Sequence, residues 1–349
     1  MSETLRPLDL GEILDKTVQL YRSRFLVFLG IAALPMGWLL ACIACVALLI
    51  SWANASPSSG GADPTAVAVV LVIFGLLGLL ALSVYAAAAA LGTAAMNHAA
   101  AATYFGGRVT IRGAYKVAWQ RGWRYIGLYL LKGFIVWGIP IAAWFVLMIL
   151  GPMVMVFARA AGGGGAGIFT GFLFFFLFLG IIVYFVLALL RLCLAFPACI
   201  VEQSGVWESI KRGNALSQGT RGRIFLLGLL VVVLGWILSM AVIVPTMIGM
   251  AMMPGMRDPA KSETLGMTIL LISYAVSFAV QAFTQPVSGI ALMLFYYDQR
   301  IRKEGYDIEW MMRQAGLVVP VAAPAPEPAA AFMPAVDSTI PQSLSEELP

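Results

Sequence analysis

The stretch ALPMGWLLACIACVALLISW (residues 33–52) contains twenty residues and no charged side chain. A helix of about 20 apolar residues is long enough to cross the hydrocarbon core of a bilayer. The stretch therefore predicts a membrane-spanning helix, and its apolar character extends back to Phe25. Cys42 and Cys45 form a CxxC within it, but no acid, histidine or further cysteine lies near them in the sequence. We interpret both as small apolar side chains of the span.

The rest of the chain has the same character. Of its 349 residues, 61% are hydrophobic and only 11% are charged, whereas a soluble globular chain is about 25% charged. The composition and the apolar runs together predict an all-α integral membrane protein with six spans. The predicted spans are residues 25–52, 65–102, 125–158, 168–195, 223–253 and 265–297.

Lysine and arginine are distributed unevenly among the connections between these spans. Eighteen of the 22 lie in the leader, in the second-to-third and fourth-to-fifth connections, and after the sixth span. The remaining connections contain only Arg159, Arg257 and Lys261, and Lys132 lies inside the third span. Basic connections stay on the cytoplasmic side. The sequence therefore predicts a multi-pass protein of the bacterial cytoplasmic (inner) membrane with both termini in the cytoplasm, and its basic residues require no nucleic-acid partner.

The segments that precede the first, third and fifth spans resemble one another. They read LDLGEILDKTVQLYRSRF (8–25), TIRGAYKVAWQRGWRY (110–125) and SGVWESIKRGNALSQGTRGRIF (204–225). Their last arginines, Arg24, Arg124 and Arg223, are 100 and 99 residues apart. We interpret the chain as three pseudo-repeats of interfacial helix, span and span, at about 8–105, 108–195 and 204–297.

Apolar side chains recur with the spacing of an α-helix in the first two of these segments, whereas Gly213 and Asn214 interrupt the apolar face of the third. In the first segment the apolar face is formed by Leu10, Ile13, Leu14 and Val18, and in the second by Ile111, Ala114, Tyr115, Ala118 and Trp119. Asp9 and Glu12 have the spacing of a capping box, which predicts a helix start. Such amphipathic helices lie flat in the headgroup region with the apolar face toward the acyl chains.

Basic residues of the same segments are the predicted contacts for anionic lipid headgroups. They are Arg22, Arg24, Arg112, Lys116, Arg121, Arg124, Lys211, Arg212, Arg221 and Arg223.

The stretch FYYDQRIRKEGYDIEWMM (295–312) ends the last span. We predict that Tyr296 and Tyr297 lie at the membrane interface, that residues 298–304 enter water, and that a fourth interfacial helix occupies about 306–316. The membrane domain is then residues 1–316. The Pro/Ala-rich residues 317–349 contain no basic side chain, and this composition predicts a disordered cytosolic tail.

Three of these stretches also carry a family resemblance. RPLDLGEILDKTVQLYR (6–22), FPACIVEQSGVWESIKR (196–212) and YYDQRIRKEGYDIE (296–309) resemble uncharacterised prokaryotic multi-pass membrane proteins that are described as similar to the membrane domain of glycerophosphoryl diester phosphodiesterases. The resemblance covers about residues 5–312 and implies a multi-span inner-membrane protein. It implies no catalytic residue, because the phosphodiesterase chemistry belongs to a separate soluble domain.

Residues suited to catalysis are scarce. The chain has one histidine, His98, and no Asp or Glu lies in the interior of a predicted span. Hydrolytic chemistry needs several convergent ionisable groups. We therefore predict a non-enzymatic protein with no catalytic residue, no metal site and no cofactor.

Polar residues inside the spans leave a different possibility open. Lys132 lies about two turns inside the third span, where it either serves a function or extends its ammonium back to the interface. Ser273, Ser277, Gln281 and Gln285 follow one another at i+4 spacing on the sixth span. This stripe either lines a solute path or bonds across a helix–helix contact.

The sequence is compatible with two functions. The first is a membrane protein that organises anionic lipid, or a protein partner in the membrane, through its cytosolic amphipathic helices. The second is a transporter or channel for an unidentified solute that uses the polar stripe of the sixth span.

Overall fold

The described part of the chain, residues 6–55, 64–160, 164–252 and 259–314 of a computed structural model, contains helices and no strand. The predicted tail at 317–349 lies outside these residues. The helices are α1 (Leu10–Ser23), α2 (Phe25–Ala55), α3 (Pro64–Tyr104), α4 (Ile111–Gln120), α5 (Gly122–Gly133), α6 (Ile139–Ala160), α7 (Gly164–Leu192), α8 (Ala195–Val201), α9 (Val206–Ser217), α10 (Arg221–Met252), α11 (Pro259–Glu304) and α12 (Tyr306–Gln314). A π-helical turn, Phe134–Gly138, joins α5 to α6.

Six segments of the described chain are long and apolar enough to cross a bilayer, which confirms the predicted number and indicates a multi-pass membrane protein. They are Phe25–Leu48, Val72–Tyr104, Gly122–Val154, Ile168–Val201, Arg221–Gly249 and Leu271–Glu304. The third consists of α5, the π-helical turn and α6, and the sixth is the end of α11. The capping box at the start of α1 is also present, with the backbone N–H of Asp9 donating to Glu12 Oε2 at 3.0 Å.

The short helices α1, α4, α8 and α9 lie at one end of the bundle, which we call the collar end. There α1 packs along α11, α4 packs along α3, and α9 packs on α8 and α7. The apolar residues Ile13, Ala114 and Ala118 are buried in these contacts. Their environment is thus protein rather than lipid, which corrects the predicted orientation of these faces. Val18 and Trp119, from the same faces, are exposed.

The core of the bundle also lies at the collar end. The alanine-rich half of α3 is buried against the last half of α11. Small side chains allow this close approach: a Cβ on Gly289 of α11 would lie 2.8 Å from the Cγ of Met96 on α3. By contrast, large apolar residues in the far halves of the spans face outward, as with Ile149 (70% exposed) and Phe176 (62% exposed). Such a surface is stable only in an apolar solvent.

The last turns of α11 differ from the prediction. Residues 298–304 continue the helix. Asp298 and Gln299 are buried rather than in water, whereas Arg302, Lys303 and Glu304 are exposed as predicted. Tyr296 and Tyr297 are likewise buried in protein and are not exposed to lipid or water. The charges do not break the helix because they satisfy one another at i,i+4 spacing, as Arg302 does with Asp298.

Gly305 ends α11 with a φ of 65°. Glycine adopts this left-handed conformation without steric cost, which makes it the usual residue after a helix. α12 begins at Tyr306 and confirms a helix within the predicted 306–316; it belongs to a separate unit of the chain.

Proline explains the π-helical turn of the third span. The N–H of Ile139 donates to the carbonyl of Phe134, five residues back, so the carbonyl of Ile135 loses its ordinary helical donor. Pro140 follows directly and has no N–H to offer. The hydroxyl of Tyr184 on α7 donates to the freed Ile135 carbonyl at 3.1 Å. A side chain of the neighbouring span therefore satisfies the backbone that the turn exposes, as a membrane helix requires.

Candidate functional site

A groove runs between α10 and α11, and the polar stripe of the sixth span lies along it. At the far end, Ser273 and Ser277 of α11 face Ser239 and Thr246 of α10 across a narrow cleft. Nearer the collar end the groove widens to a cleft of 420 Å³. Gln281, Thr284, Gln285 and Ser288 line it from α11, and Gly235, Trp236 and Ser239 line it from α10. The groove thus contains all four predicted stripe residues, and sequence reasoning missed Thr284 and Ser288 because they lie beside the i+4 series.

Hydroxyl groups along the groove bond to their own helices. Thr284 donates to the carbonyl of Val280 at 3.0 Å, Ser288 donates to that of Gln285 at 2.8 Å, and Ser239 and Thr246 bond four residues back. The Oε1 atom of Gln285 is buried and has no hydrogen-bond partner in the described chain. An unsatisfied buried acceptor costs about 1–3 kcal/mol. The middle of the groove therefore presents an acceptor that a water molecule or a ligand donor would satisfy.

A chamber of 390 Å³ continues the groove at the collar end. It shares Val231, Val232 and Ser288 with the cleft described above, so the two spaces are neighbours along the same pair of helices. Its walls come from α5, α7, α10 and α11. Apart from Lys132 and Ser288, every residue that lines it is aliphatic, aromatic, cysteine or glycine. The structure therefore brings Lys132 and the stripe of the sixth span, which are far apart in sequence, to one groove.

Among the described residues that line the chamber, Lys132 is the only charged one. Its ammonium lies 5.7 Å from the centre of the Phe196 ring, at the junction of α7 and α8. In the described chain no carboxylate lies within salt-bridge distance of this ammonium. The side chain is half-buried, and a cation in such surroundings is costly unless it is paired. The chamber thus has a charged end beside the collar and an apolar wall that extends away from it.

Asp298 lies at the centre of the first of two ion clusters in the collar. Its carboxylate is fully buried and accepts the backbone N–H of Leu8 at 2.9 Å and Arg302 Nε at 2.9 Å. Arg223 is 3.5 Å away. Both arginines also donate to the carbonyl of Leu8, at 3.0 and 2.8 Å. The cluster therefore joins the segment before α1 to the start of α10 and the end of α11.

Glu202 lies at the centre of the second cluster. It accepts Arg212 Nε at 2.9 Å and the hydroxyl of Tyr296 at 2.8 Å. Glu304 also pairs with Arg212, and with Arg300 at 3.1 Å. Burial alone would lower the pKa of Arg212, but hydrogen bonds and charge from Glu202 and Glu304 outweigh it and raise that pKa. The two clusters explain how a collar rich in charge packs without exposing every side chain to water.

The ten predicted headgroup contacts fall into three groups in the structure. Arg212 and Arg223 pair with carboxylates inside the protein. Arg124 donates to the carbonyl of Gln203, and Arg221 bonds to Asn214. The other six point basic side chains outward to differing degrees: Arg22, Arg24, Arg112, Lys116, Arg121 and Lys211.

Exposed tryptophans stand among the outward-facing basic residues. Trp123 is 87% exposed, Trp119 74% and Trp207 60%. The ammonium of Lys211 lies 5.9 Å from the centre of the Trp207 ring. Tryptophan and arginine are the side chains that anchor proteins at the headgroup level of a bilayer. We call these three tryptophans with Arg112, Lys116, Arg121 and Lys211 the collar rim.

Within the described residues, no group of three or more His, Cys, Asp or Glu side chains has the arrangement of a metal site. His98, the single histidine, has a buried Nδ1 atom without a hydrogen-bond partner in the described chain. No protein-family model, no curated protein and no solved structure matches this chain.

Proposed function

We propose that the protein is a non-enzymatic multi-pass protein of a bacterial inner membrane that organises anionic lipid, or a protein partner in the membrane, around its cytosolic collar. The observation that carries the proposal is the collar rim, where three strongly exposed tryptophans stand beside basic side chains. An exposed tryptophan is unfavourable in water and favourable at the headgroup level. The cationic neighbours attract the anionic leaflet.

The stretches that carry the family resemblance lend support, because they contact one another at the collar. Residues 6–22 meet the end of α11 through Leu8 and Asp298, and residues 196–212 meet it through Glu202 and Tyr296. On this proposal the resemblance reflects a shared collar. Its ion clusters hold the short helices in place, and the rim faces the lipid.

Charge reversal of Arg112, Lys116 and Arg121 tests the proposal. The matched control reverses Arg159, Arg257 and Lys261, the basic residues of the connections on the opposite side. Each exposed cation near an anionic surface is worth about 1 kcal/mol, so the rim variant should retain at least tenfold less anionic lipid after purification. Native mass spectrometry of both variants in mild detergent provides the measurement. Equal retention of anionic lipid by the rim variant and the control would contradict the proposal.

The topology can be tested independently. Reporter fusions at Arg121 and at residue 257 should report the cytoplasm and the periplasm, respectively. A periplasmic signal at Arg121 would remove the collar from the cytosolic leaflet and with it the proposal.

A second candidate, a solute transporter or channel, is favoured by one observation. Lys132 and the last part of the polar stripe line neighbouring spaces that share walls on α10 and α11, and Gln285 presents an unsatisfied acceptor in one of them. Its test is a solute-flux assay in liposomes with Gln281→Leu, Gln285→Leu and Lys132→Met. Loss of flux in these variants would support the candidate. Unaltered flux would exclude these residues from the path, and the absence of flux in the wild type would exclude the class.

A further inference from the structure

We infer that the chamber beside Lys132 binds one anionic phospholipid of the collar-side leaflet, with its phosphate at the Lys132 ammonium and an acyl chain along α10. The inference rests on the proposed function in one respect, because it places the collar at an anionic leaflet. It goes further by assigning a lipid site inside the bundle, where the proposal concerned only the rim.

The chamber, like a lipid molecule, has a charged end and an apolar remainder. Its one charge lies at the collar end, near Phe196 at the junction of α7 and α8. The apolar wall on α10 runs from Ile224, the residue after Arg223, to Val232. Nine helical residues rise by about 13 Å, close to half of the roughly 30 Å hydrocarbon core. The apolar wall is therefore about as long as one leaflet is thick, and the charge of the chamber lies toward its collar side.

Its size and opening also suit a lipid tail. A volume of 390 Å³ lies within the range of ligand pockets, about 300–1,000 Å³. Several lining residues are exposed on the outer surface of the bundle as well, among them Leu189, Phe225, Leu229 and Val232. The chamber therefore opens sideways, toward the space that the bilayer fills. A lipid can enter it without leaving its leaflet.

Charge complementarity selects an anionic occupant. The described chain supplies no carboxylate for Lys132. By contrast, the collar arginines Arg212 and Arg223 have carboxylate partners. A phosphate would pair with Lys132, the one charge among the described lining residues, and an anionic headgroup brings no cation that competes with Lys132 for this phosphate. A hydrogen bond between an ammonium and a phosphate is roughly twice as strong as one between neutral groups, which favours an anionic ligand here.

The test uses the full chain in nanodiscs that contain phosphatidylglycerol with a photoreactive diazirine on its acyl chain. After illumination, mass spectrometry of peptides maps the labelled residues. We expect labelling of residues 224–232 and 186–190, and at least about tenfold less labelling from the matched phosphatidylcholine probe. Lys132→Met should lower chamber labelling by about the same factor, and Lys132→Arg should restore it.

A second variant tests the chamber without removing the charge. No atom lies within 4 Å of a Cβ placed on Gly228, so Gly228→Leu can fill the chamber without a backbone clash. This variant should also lose the labelling, while Gly180→Leu, at an unobstructed site on α7, should not. Gel filtration establishes that each variant is folded.

The labelling results distinguish a failure of this inference from a failure of the proposed function. Chamber labelling that survives rim charge reversal supports the inference even if the rim retains no lipid. Labelling spread evenly over the outer surfaces, or unchanged in Lys132→Met and Gly228→Leu, overturns it and leaves the rim proposal standing. Stronger labelling by a photoreactive fatty acid than by the phospholipid also overturns it, since the site would then select a carboxylate.

Discussion

Removing the buried carboxylate of Asp298 should destabilise the collar more than removing any exposed charge. Asp298→Ala deletes the acceptor for Arg302 at 2.9 Å, for the Leu8 N–H at 2.9 Å and for Arg223 at 3.5 Å. It leaves the buried Leu8 N–H without its partner and both arginines without their carboxylate, although each still donates to the Leu8 carbonyl.

The magnitude follows from burial. Loss of one partner from a buried ion pair costs about 3–5 kcal/mol. The side chains of Arg223 and Arg302 are 29% and 35% exposed, so water screens part of the loss and we expect about 3 kcal/mol. Asp298→Asn should cost less than Asp298→Ala, because the amide oxygen still accepts a hydrogen bond. It should still cost some stability, because the amide nitrogen is a donor and cannot pair with a guanidinium.

Equilibrium unfolding in mixed micelles, with increasing mole fraction of sodium dodecyl sulfate, measures this difference. Limited trypsin digestion at Lys16 adds a local readout, since loss of the Leu8 anchor should speed cleavage there. The matched control is Arg6→Gln, which breaks only an exposed pair with Glu12 and should leave stability unchanged. A variant Asp298→Ala within about 0.5 kcal/mol of the wild type, with unchanged proteolysis, would refute this account of the collar.

Three further predictions concern packing and titration. Gly213→Ala would place a Cβ 2.6 Å from the first backbone nitrogen of α8 and should cost about 1–3 kcal/mol in the same unfolding assay, whereas Gly180→Ala meets open space and should cost nothing measurable. Tyr184→Phe should cost about 1 kcal/mol and speed hydrogen exchange next to the π-helical turn, because the Ile135 carbonyl loses its donor; equal exchange would contradict it. Burial raises the pKa of Tyr115 to about 12 from 10.0, so its contribution to stability should be complete below pH 10 and lost as pH rises through about 12. The ultraviolet difference titration of wild type against Tyr115→Phe measures this, and a difference that titrates near pH 10 would contradict it.

The six spans were predictable because length and hydropathy alone decide whether a helix can cross a bilayer. Packing was harder to predict. Asp298 lies among Arg300, Arg302 and Lys303, a pattern typical of a solvated helix end. Its burial depends on Leu8, 290 residues away in the sequence. The i,i+4 pair with Arg302 was the available signal, since it stabilises continued helix rather than an exit.

At the candidate site, too, the residues could be predicted from the sequence but their packing could not. Sequence reasoning identified Lys132 and the stripe from Ser273 to Gln285 as unusual polar residues within apolar helices. It could not predict that they share a groove, because the rotation of each span about its axis depends on contacts between helices that are distant in the chain. The π-helical turn has a retrospective signal in Gly133, Gly138 and Pro140. Its carbonyl partner on α7, however, could not be predicted from the local sequence.

The collar and the groove are mechanically connected through α10. Arg223 bonds to Asp298 and to the Leu8 carbonyl at the collar end of this helix, and the next residue, Ile224, begins the wall of the chamber. The Arg223–Asp298 pair therefore restrains the distance between α10 and α11 at the collar end. Farther along, side chains facing the groove bond to their own helices, as Ser239 and Thr284 do, and add no such restraint. The ion cluster and the apolar core thus both hold the helices together at the collar end, while clefts remain between α10 and α11 farther along.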